Sequence, residues 1–344
     1  MLKKKILFIV SNSKKVGFGH LKRCVVLSKK LNIHQNILIS DSINFIDKRV
    51  RSNFYDIIIK RKFTNKIIKE IVEKLNPSFV IFDTFEYKFS LFQFFKKKKI
   101  STIQFINNNY KFEKFGSYLI NSSPKPKDLK KFIINRNITQ LNGARYSIID
   151  TNKIVVKNLS VKNRRKKRNQ IFFCLGGSFD ILDVYKLIPF FKIFNNMIFN
   201  IFLKFSETKH KTKYQLEVNK LKNKIKNVKI ILNKDNILKD AKKADFAIVS
   251  GGTILTEMIF MKIPALVFAL SKNQEIYAKA WQKKNCCLYE GYFDNFLKKK
   301  SINQAMLIKK FIKKYIFLIE RNMKSKIDNL GSDRISNIVL KNLK

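Results

Sequence analysis

The sequence predicts two α/β domains, each built on a parallel β-sheet with helices on both faces. Short apolar runs, such as Lys5–Val10, alternate along the chain with segments whose apolar residues recur at helical spacing, and this alternation begins again in the second half. A chain of 344 residues also exceeds the length of one typical domain. We therefore expect a first domain over 1–160, a linker over 161–169, a second domain over 170–330, and a terminal helix within 331–344 that packs back on the first domain.

In the first half, apolar runs bounded by polar residues predict strands, and helical spacing between them predicts helices. The predicted strands are 5–10, 36–40, 54–59, 79–82, 101–106 and 118–120, and the predicted helices are 21–31, 64–75 and 89–95. In the second half the predicted strands are 170–175, 199–205, 228–232, 245–249 and 264–270. Helices there are predicted from 182 and from 235, and at 216–225, 253–261, 273–283, 302–322 and 333–343.

The charge is strongly positive, with 72 Lys and Arg against 24 Asp and Glu and a formal net charge of +48. Such a balance favours an anionic partner, namely nucleic acid, anionic lipid or a phosphorylated substrate. Lys, Asn, Ile and Phe are abundant throughout and all have A/T-rich codons, so genome composition explains the charge better than a nucleic-acid role does. The densest basic run, Lys162–Arg168, has no interleaved aromatic residue, which favours a linker over a nucleic-acid site. We expect no specific nucleic-acid partner, while peripheral contact with an anionic membrane stays open.

The cysteines and the apolar segments indicate a cytoplasmic protein. The four cysteines show no paired spacing of the metal-binding type, and Cys286 and Cys287 are adjacent in an apolar run typical of a core. The apolar run that follows the N-terminal lysines ends at Val10, which predicts a strand and not a signal peptide. The aromatic-rich stretch 184–205 contains Lys186 and other polar residues, which argues against a membrane span. No obligate protein partner is predicted.

The loop that follows the first predicted strand contains Gly17-x-Gly19-His20. A glycine-bearing loop between a strand and a helix brings a ligand close to backbone amides. His20 directly follows the second glycine, and Arg23 adds an anion-binding side chain one turn further on. His20 is therefore a candidate catalytic residue, with a structural histidine at a helix start as the alternative. His34 stands in a polar turn and is expected to be exposed.

In the second half, Ser250-Gly251-Gly252-Thr253 connects a predicted strand to a predicted helix. The glycines allow a close backbone approach, and the helix offers free N–H groups and its positive dipole end to a diphosphate. Glu257 lies one turn into that helix. A carboxylate there can accept hydrogen bonds from ribose hydroxyls, as in other nucleotide sites, although an ordinary glutamate near a helix start is an equal explanation.

Two further segments of the second half are candidates for ligand binding. Gly176-Gly177-Ser178 is another strand-to-helix loop on the same edge, which a tight turn explains equally well. Asn273 and Gln274 precede a predicted helix, where their amides could bind sugar hydroxyls. A helix N-cap at Asn273 is the local alternative.

Asp83 ends the predicted strand 79–82 and therefore points toward the same edge of the sheet as the loop of His20. A buried turn cap is the alternative for this carboxylate. Two similar α/β halves joined by a linker are expected to leave a cleft between them, where ligands usually bind.

Taken in order, the motifs resemble those of a known family. They are Gly17-x-Gly19-His20-x-x-Arg23, Gly176-Gly177-Ser178, Ser250-Gly251-Gly252-Thr253-x-x-x-Glu257, Lys262-Ile263-Pro264 and Asn273-Gln274. The set resembles the PseG-type UDP-sugar hydrolases of pseudaminic acid biosynthesis, which are relatives of MurG-like GT-B glycosyltransferases and of spore-coat polysaccharide proteins. The similarity extends over most of the chain, down to Gly331–Arg334.

The resemblance implies the GT-B fold, in which two Rossmann-like domains face each other across a cleft. It implies a hydrolase that releases UDP from a UDP-linked deoxy amino sugar, with His20 activating or positioning water; an imidazole of ordinary pKa, about 6.5, suits that task. No metal or cofactor is implied. The implied substrate-binding residues are Gly17, Gly19, Arg23, Asp83, Gly177, Ser178, Ser250, Gly251, Gly252, Thr253, Glu257, Asn273 and Gln274, with the diphosphate on the Gly251–Thr253 turn and the ribose on Glu257.

The chain departs from that family at three places. Asp83-Thr84-Phe85 stands where the family has Asp-His-Tyr, so the phenol is absent. Phe179-Asp180 replaces Asp-Pro after the Gly-Gly-Ser loop, and the segment from Tyr146 lacks the family's Arg and Pro. The UDP-sugar site stays the expectation, while the altrose substrate is less firmly implied. The alternatives are a GT-B glycosyltransferase that uses an acceptor hydroxyl, and a basic nucleic-acid-binding or membrane-surface protein with decayed motifs.

Overall fold

The computed structural model divides the chain into two compact units. Unit 1 comprises Met1–Ile149 together with Asn329–Lys344, and unit 2 comprises Asp150–Asp328. The predicted linker 161–169 lies outside the described residues except for its last position. The structure describes residues 3–13, 18–43, 45–84, 89–106, 117–125, 138–150, 169–177, 179–204, 211–234, 237–323 and 327–344.

Strands and helices alternate in both units. The strands are β1 (Lys5–Val10), β2 (Gln35–Ser40), β3 (Asp56–Ile59), β4 (Phe79–Asp83), β5 (Ser101–Phe105), β6 (Tyr118–Asn121), β7 (Thr139–Asn142), β8 (Gln170–Cys174), β9 (Ile198–Leu203), β10 (Val228–Leu232), β11 (Phe246–Ser250), β12 (Ala265–Ala269) and β13 (Leu288–Tyr292). The helices are α1 (Gly19–Lys30), α2 (Lys48–Arg51), α3 (Asn65–Leu75), α4 (Phe89–Lys97), α5 (Ile181–Lys186), α6 (Ile188–Ile193), α7 (Lys211–Lys224), α8 (Ile237–Ala241), α9 (Thr253–Phe260), α10 (Lys272–Gln282), α11 (Phe293–Leu297), α12 (Ser301–Lys310), α13 (Ile316–Asn322) and α14 (Gly331–Asn342).

Each unit contains one parallel sheet with the same kind of strand order. In unit 1 the described strands run β3-β2-β1-β4-β5-β6-β7, and in unit 2 they run β10-β9-β8-β11-β12-β13. The direction of winding reverses between β1 and β4 and again between β8 and β11. At such a reversal the loops leave the carboxyl ends of the two strands in opposite directions, which opens a crevice where ligands bind.

The sheet of unit 1 is apolar on both faces because alternate side chains of each strand point to opposite sides. Phe8 of β1 packs on one face with Leu21 and Leu27 of α1. Ile9, one position later, packs on the other face with Ile68 of α3. Helices on both sides therefore hold β1 and β4 in a fully buried centre.

Helix α14 completes the core of unit 1 although it follows unit 2 in the sequence. Ile335 and Val339 are fully buried in the cluster that also contains Leu27 of α1. At the start of the helix, a Cβ on Gly331 would collide with the backbone carbonyl of Ser147. The absence of a side chain at Gly331 thus allows this helix to approach the segment that follows β7.

Several local predictions differ from the structure. Elements β7, β13 and α2 were not predicted, because each is only four or five residues long and lacks a clear apolar period. The predicted helix 302–322 is a continuous helical run that contains a π-helical turn at Phe311–Tyr315. The expectation that His34 is exposed is wrong, since only 9% of the residue is accessible to solvent.

No helix in the described part of the chain combines the length and the apolar character that crossing a bilayer requires.

His34 gives unit 1 a pH-dependent stability. Burial, and secondly the charge of Lys4, lower the pKa of His34 below its ordinary value of 6.5, and its Nδ1 has no hydrogen-bond partner among the described residues. The folded state therefore binds fewer protons than the unfolded state as the pH falls below 6.5. We expect the free energy of unfolding to decrease from that pH down to the lowered pKa. His34→Gln should flatten this decrease in urea titrations at a series of pH values, and an unchanged slope would contradict the assignment.

Candidate functional site

His20, Arg23 and Asp83 form a compact polar cluster at the carboxyl edge of the unit 1 sheet. The Nδ1 atom of His20 lies 2.5 Å from Oδ1 of Asp83. Arg23 donates from Nε to Oδ2 of Asp83 at 2.9 Å and from Nη2 to Oδ1 at 2.7 Å. Both oxygens of one carboxylate are thus held by a bidentate guanidinium, and one of them also contacts the imidazole.

The Asp83 carboxylate is ionised in this setting. Only 1% of the residue is exposed, and burial alone would raise the pKa of its carboxyl. The charges of Arg23 and His20 and their hydrogen bonds outweigh burial, so the pKa of Asp83 lies below its ordinary value of 3.8. A negative charge therefore stands permanently beside the imidazole near neutral pH.

This charge determines the tautomer of His20. A carboxylate can only accept a hydrogen bond, so the 2.5 Å contact requires the proton on Nδ1. Nη2 of Arg23 lies 3.3 Å from the same Nδ1, but its shorter bond goes to Asp83. The neutral ring then carries its lone pair on Nε2, which is the nitrogen that a general base uses in the Ser-His-Asp arrangement.

The fold explains why these three residues meet. Asp83 is the last residue of β4, and β1 is its neighbour in the sheet. Helix α1 begins at Gly19 directly after the loop that leaves β1, so His20 and Arg23 occupy its first two turns. Arg23 is also held by the ring of Phe105, whose centroid lies 5.3 Å from the guanidinium carbon. Gly17 lies outside the described residues.

Cys24 lies directly beside this cluster but has the character of a core residue. It is fully buried in unit 1. Burial, and secondly the Asp83 charge, raise the pKa of its thiol well above the ordinary value of 9.0. The thiol is therefore protonated near neutral pH and unsuited to act as a nucleophile.

A second polar group at the same edge was not predicted from the sequence. The buried Asn12, which follows β1, donates its backbone N–H to Oδ1 of Asp41 at 2.8 Å, and its side-chain oxygen accepts from Ser40 Oγ at 2.7 Å. These bonds fix the first residues of the loop that leads to α1. The polar stretch that ends the first apolar run was the available signal, but the partners are the last residue of β2 and the residue after it, which are distant in sequence.

In unit 2, the turn between β11 and α9 is built on close backbone packing. A Cβ on Gly251 would lie 2.5 Å from the carbonyl oxygen of Gln274 and 3.2 Å from Cβ of Ala278, both in α10. Only glycine fits there. Helix α9 begins at Thr253, and its N-cap residue, Gly252, has no side chain that could cap it. The predicted diphosphate turn thus presents helix N–H groups that no side chain of the cap residue satisfies.

Glu257 occupies the second turn of the same helix and is 1% exposed. The preceding residue, Thr256, bonds the hydroxyl of Tyr277 in α10 at 2.8 Å. Helices α9 and α10 are therefore joined by a side-chain bond as well as by the contact at Gly251. The predicted ribose carboxylate lies in a tightly packed part of unit 2.

Asn273 and Gln274 lie in the first turn of α10, next to the Gly251 turn. The alternative that Asn273 is a helix N-cap is wrong, because α10 begins at Lys272 and Ser271 occupies the cap position. Oδ1 of Asn273 is buried and has no hydrogen-bond partner among the described residues. The side-chain oxygen of Gln274 accepts a hydrogen bond from the backbone N–H of Leu270 at 2.9 Å, which holds the loop after β12 to α10.

The glycine loop after β8 reaches the same edge of unit 2. Gly176 has a φ of +90°, and a Cβ there would lie 3.8 Å from Oγ of Ser250. The ends of β8 and β11 are therefore adjacent, as their pairing requires. Gly177 forms the turn, whereas Ser178 lies outside the described residues. Within the described ranges, no three His, Cys, Asp or Glu side chains form a group that could hold a metal ion.

With this geometry established, comparison with known proteins identifies the fold. No protein-family model matches the chain. The sequence is 26% identical over 303 residues to the uncharacterized protein MJ1062 of Methanocaldococcus jannaschii. That alignment covers 84% of this chain, which spans 61% of the length of the relative.

Solved structures are similar over nearly the whole chain. MurG of Acinetobacter baumannii superposes with a TM-score of 0.61 at 11% identity, covering 98% of this chain and 99% of its own. UGT2 of Phytolacca americana, complexed with UDP-2fluoro-glucose and pterostilbene, gives 0.64 at 10% identity and covers 99% and 100%. MnaA of S. aureus, in complex with UDP, gives 0.61 at 12% identity and covers 99% and 97%. The chain has the GT-B fold, with two Rossmann-like domains, as predicted.

The buried carboxylate of Asp83 should contribute more to stability than an exposed one. Asp83→Asn removes a charge that two side chains bind, and we expect a loss of about 2 kcal/mol in the free energy of unfolding. Asp333→Asn is the matched control, because its ion pair with Lys30 is 40% exposed on both sides and should contribute less than about 1 kcal/mol. Urea unfolding measures both; equal losses would contradict the electrostatic description of the cluster.

Proposed function

We propose that this protein is a UDP-sugar-dependent glycosyltransferase in which unit 2 binds the nucleotide and His20 of unit 1 is the general base. The observation that carries the proposal is the 2.5 Å contact between His20 and an ionised Asp83, on a chain with the GT-B fold. The solved relatives that contain UDP or a UDP-sugar support the choice of substrate class.

The nucleotide-binding role rests on the turn between β11 and α9. A diphosphate carries negative charge, which the positive end of a helix dipole and its N-terminal N–H groups favour. Gly251 and Gly252 remove the side chains that would keep a phosphate away from the backbone, and Thr253 adds a hydroxyl at the first helical position. Glu257 is assigned to the ribose because a carboxylate accepts from paired hydroxyls and repels phosphate.

The catalytic role rests on the tautomer of His20. With the proton on Nδ1, the lone pair of Nε2 can take the proton of an acceptor hydroxyl. The hydroxyl oxygen then forms a bond to the anomeric carbon, and the bond from that carbon to the diphosphate oxygen breaks, which releases UDP. The Asp83 charge stabilises the imidazolium formed in this step. Arg23 is assigned to hold Asp83, because its Nε and Nη2 atoms each donate an ion-paired hydrogen bond to that carboxylate.

Hydrolysis is the second candidate, and the motif Gly17-x-Gly19-His20-x-x-Arg23 favours it through the resemblance described above. The same base would then activate water in place of an acceptor hydroxyl. The two reactions differ only in the nucleophile, so one assay separates them. UDP release is followed over time for a panel of UDP-sugars, with and without mixed sugar and lipid-linked acceptors. Release that requires an acceptor supports transfer, and equal release in water alone supports the hydrolase.

His20→Ala tests the base directly. We expect a fall in kcat of about 100-fold or more, with the affinity for UDP measured by calorimetry unchanged, because the assigned nucleotide groups lie in unit 2. Added imidazole should partly restore turnover, which a purely structural role of His20 would not allow. The control is His34→Gln, which replaces the other histidine in the described residues and should retain normal turnover. Near-normal activity of His20→Ala would refute the assignment.

A thermodynamic cycle tests Glu257. If its carboxylate accepts from the ribose 2′-hydroxyl, the wild-type protein should bind 2′-deoxy-UDP about tenfold more weakly than UDP. Glu257→Gln should lose most of that discrimination, because its amide offers one acceptor oxygen where the carboxylate offers two. Calorimetry of both proteins with both nucleotides gives the coupling free energy between Glu257 and the ribose 2′-hydroxyl. Equal discrimination by both proteins would remove Glu257 from the ribose site, while thermal unfolding shows whether the variant is folded.

A further inference from the structure

The helical run Ser301–Asn322 presents an unusual surface to solvent. It comprises α12, the π-helical turn and α13, and its 22 residues extend about 33 Å at the usual helical rise. Its inner side is buried in unit 2 through residues such as Ile308, Phe311 and Ile316. The outer side, called the 302–318 face below, consists of Ile302, Met306, Lys309, Lys310, Lys313, Lys314, Phe317 and Leu318.

The apolar members of the 302–318 face are strongly exposed to solvent. Ile302 is 66% exposed, Met306 63%, Phe317 65% and Leu318 43%. They stand at the two ends of the face. The four lysines lie between them and are exposed as well. An isolated exposed apolar residue needs no explanation, but four on one side of one helical run indicate a surface that another phase or molecule covers.

The charged residues of the 302–318 face are all lysines. Residues 295–319 contain seven lysines and neither Asp nor Glu, whereas the whole chain has 24 acidic residues against 72 basic ones. Glu290, which is half-buried, lies close enough to interact electrostatically with Lys299 and Lys310. The face therefore attracts anions and repels a second copy of itself.

We propose that the 302–318 face docks on an anionic phospholipid bilayer. Lysines near a bilayer gain attraction from acidic headgroups, and apolar side chains on the same helix face enter the boundary between headgroups and acyl chains. That apolar part consists of Phe317 and Leu318 at one end of the face and Ile302 and Met306 at the other. Nucleic acid fits less well, since its phosphates would engage the lysines but leave the aliphatic groups in water. This inference does not depend on the proposed catalytic activity.

Vesicle binding tests the surface. The probes are vesicles of phosphatidylcholine alone and vesicles of phosphatidylcholine and phosphatidylglycerol in equal parts, with binding measured by flotation. The full chain is expected to bind only the acidic vesicles, and less at higher salt. Replacement of the four central lysines by glutamine should reduce the partition coefficient about tenfold or more. The variant is Lys309→Gln, Lys310→Gln, Lys313→Gln and Lys314→Gln combined.

A matched control separates this face from the general positive charge of the chain. Exposed lysines elsewhere in unit 2 are replaced in the same number, as Lys222→Gln, Lys226→Gln, Lys229→Gln and Lys242→Gln combined. This control has the same net charge and should lose less than about threefold in the partition coefficient. Equal losses in the two variants would overturn the proposal, because vesicle binding would then follow net charge alone.

The apolar contribution has its own variant. Met306→Ser combined with Phe317→Ser changes two exposed side chains, so unit 2 should unfold at the same temperature as the wild type. Its partition into acidic vesicles should fall several-fold with an unchanged salt dependence. Unchanged partition would show that neither Met306 nor Phe317 enters the bilayer, which would overturn the proposed apolar contact. Salt-sensitive binding of duplex DNA that depends on the four central lysines, without vesicle binding, would replace the lipid by nucleic acid and refute the proposal.

Discussion

The reversal of strand order in each sheet is the constraint on which the other features depend. Strands β1 and β4 in unit 1, and β8 and β11 in unit 2, are neighbours whose following helices go to opposite faces. Their carboxyl ends therefore cannot be covered by the helices of the same unit. In unit 1 this edge carries the His20 cluster, and in unit 2 it carries the Gly251 turn. The two units thus share one strand order but carry different functional groups at the equivalent edge of the sheet.

Within unit 1, the buried carboxylate of Asp83 links the fold to the chemistry of the site. Asp83 belongs to a central strand, while His20 and Arg23 belong to a helix, so their contacts join two rigid elements. Burial of Asp83 costs free energy that the bidentate guanidinium offsets, which keeps the charge in place. Because the charge of Asp83 persists near neutral pH, the imidazole of His20 already carries its proton on Nδ1 before a substrate binds. Preorganisation of this kind lowers the barrier of the reaction step.

Sequence reasoning found the parts of the structure that have a local signal. Long apolar runs such as Lys5–Val10 predicted the central strands, and the strand-to-helix loops with glycine predicted the position of His20. Short edge strands such as Thr139–Asn142 have no such signal, because their conformation depends on the neighbouring strand. The bonds of Asn12 with Ser40 and Asp41 at the end of β2 were missed for the same physical reason. They join residues that are distant in sequence, and neither partner is unusual by itself.

The return of the chain to unit 1 affects how the protein is made. Ile335, Val339 and Leu343 are part of the core beneath α1, yet they are synthesised after all of unit 2. Unit 2 is contiguous in sequence, so all of it is synthesised before α14. Until α14 is made, the core of unit 1 is incomplete beside α1, the helix that bears His20. The first unit in sequence is then the last to complete its core. During that interval the apolar surface that α14 covers stays exposed, and such transiently exposed surface makes a partly folded chain prone to aggregate.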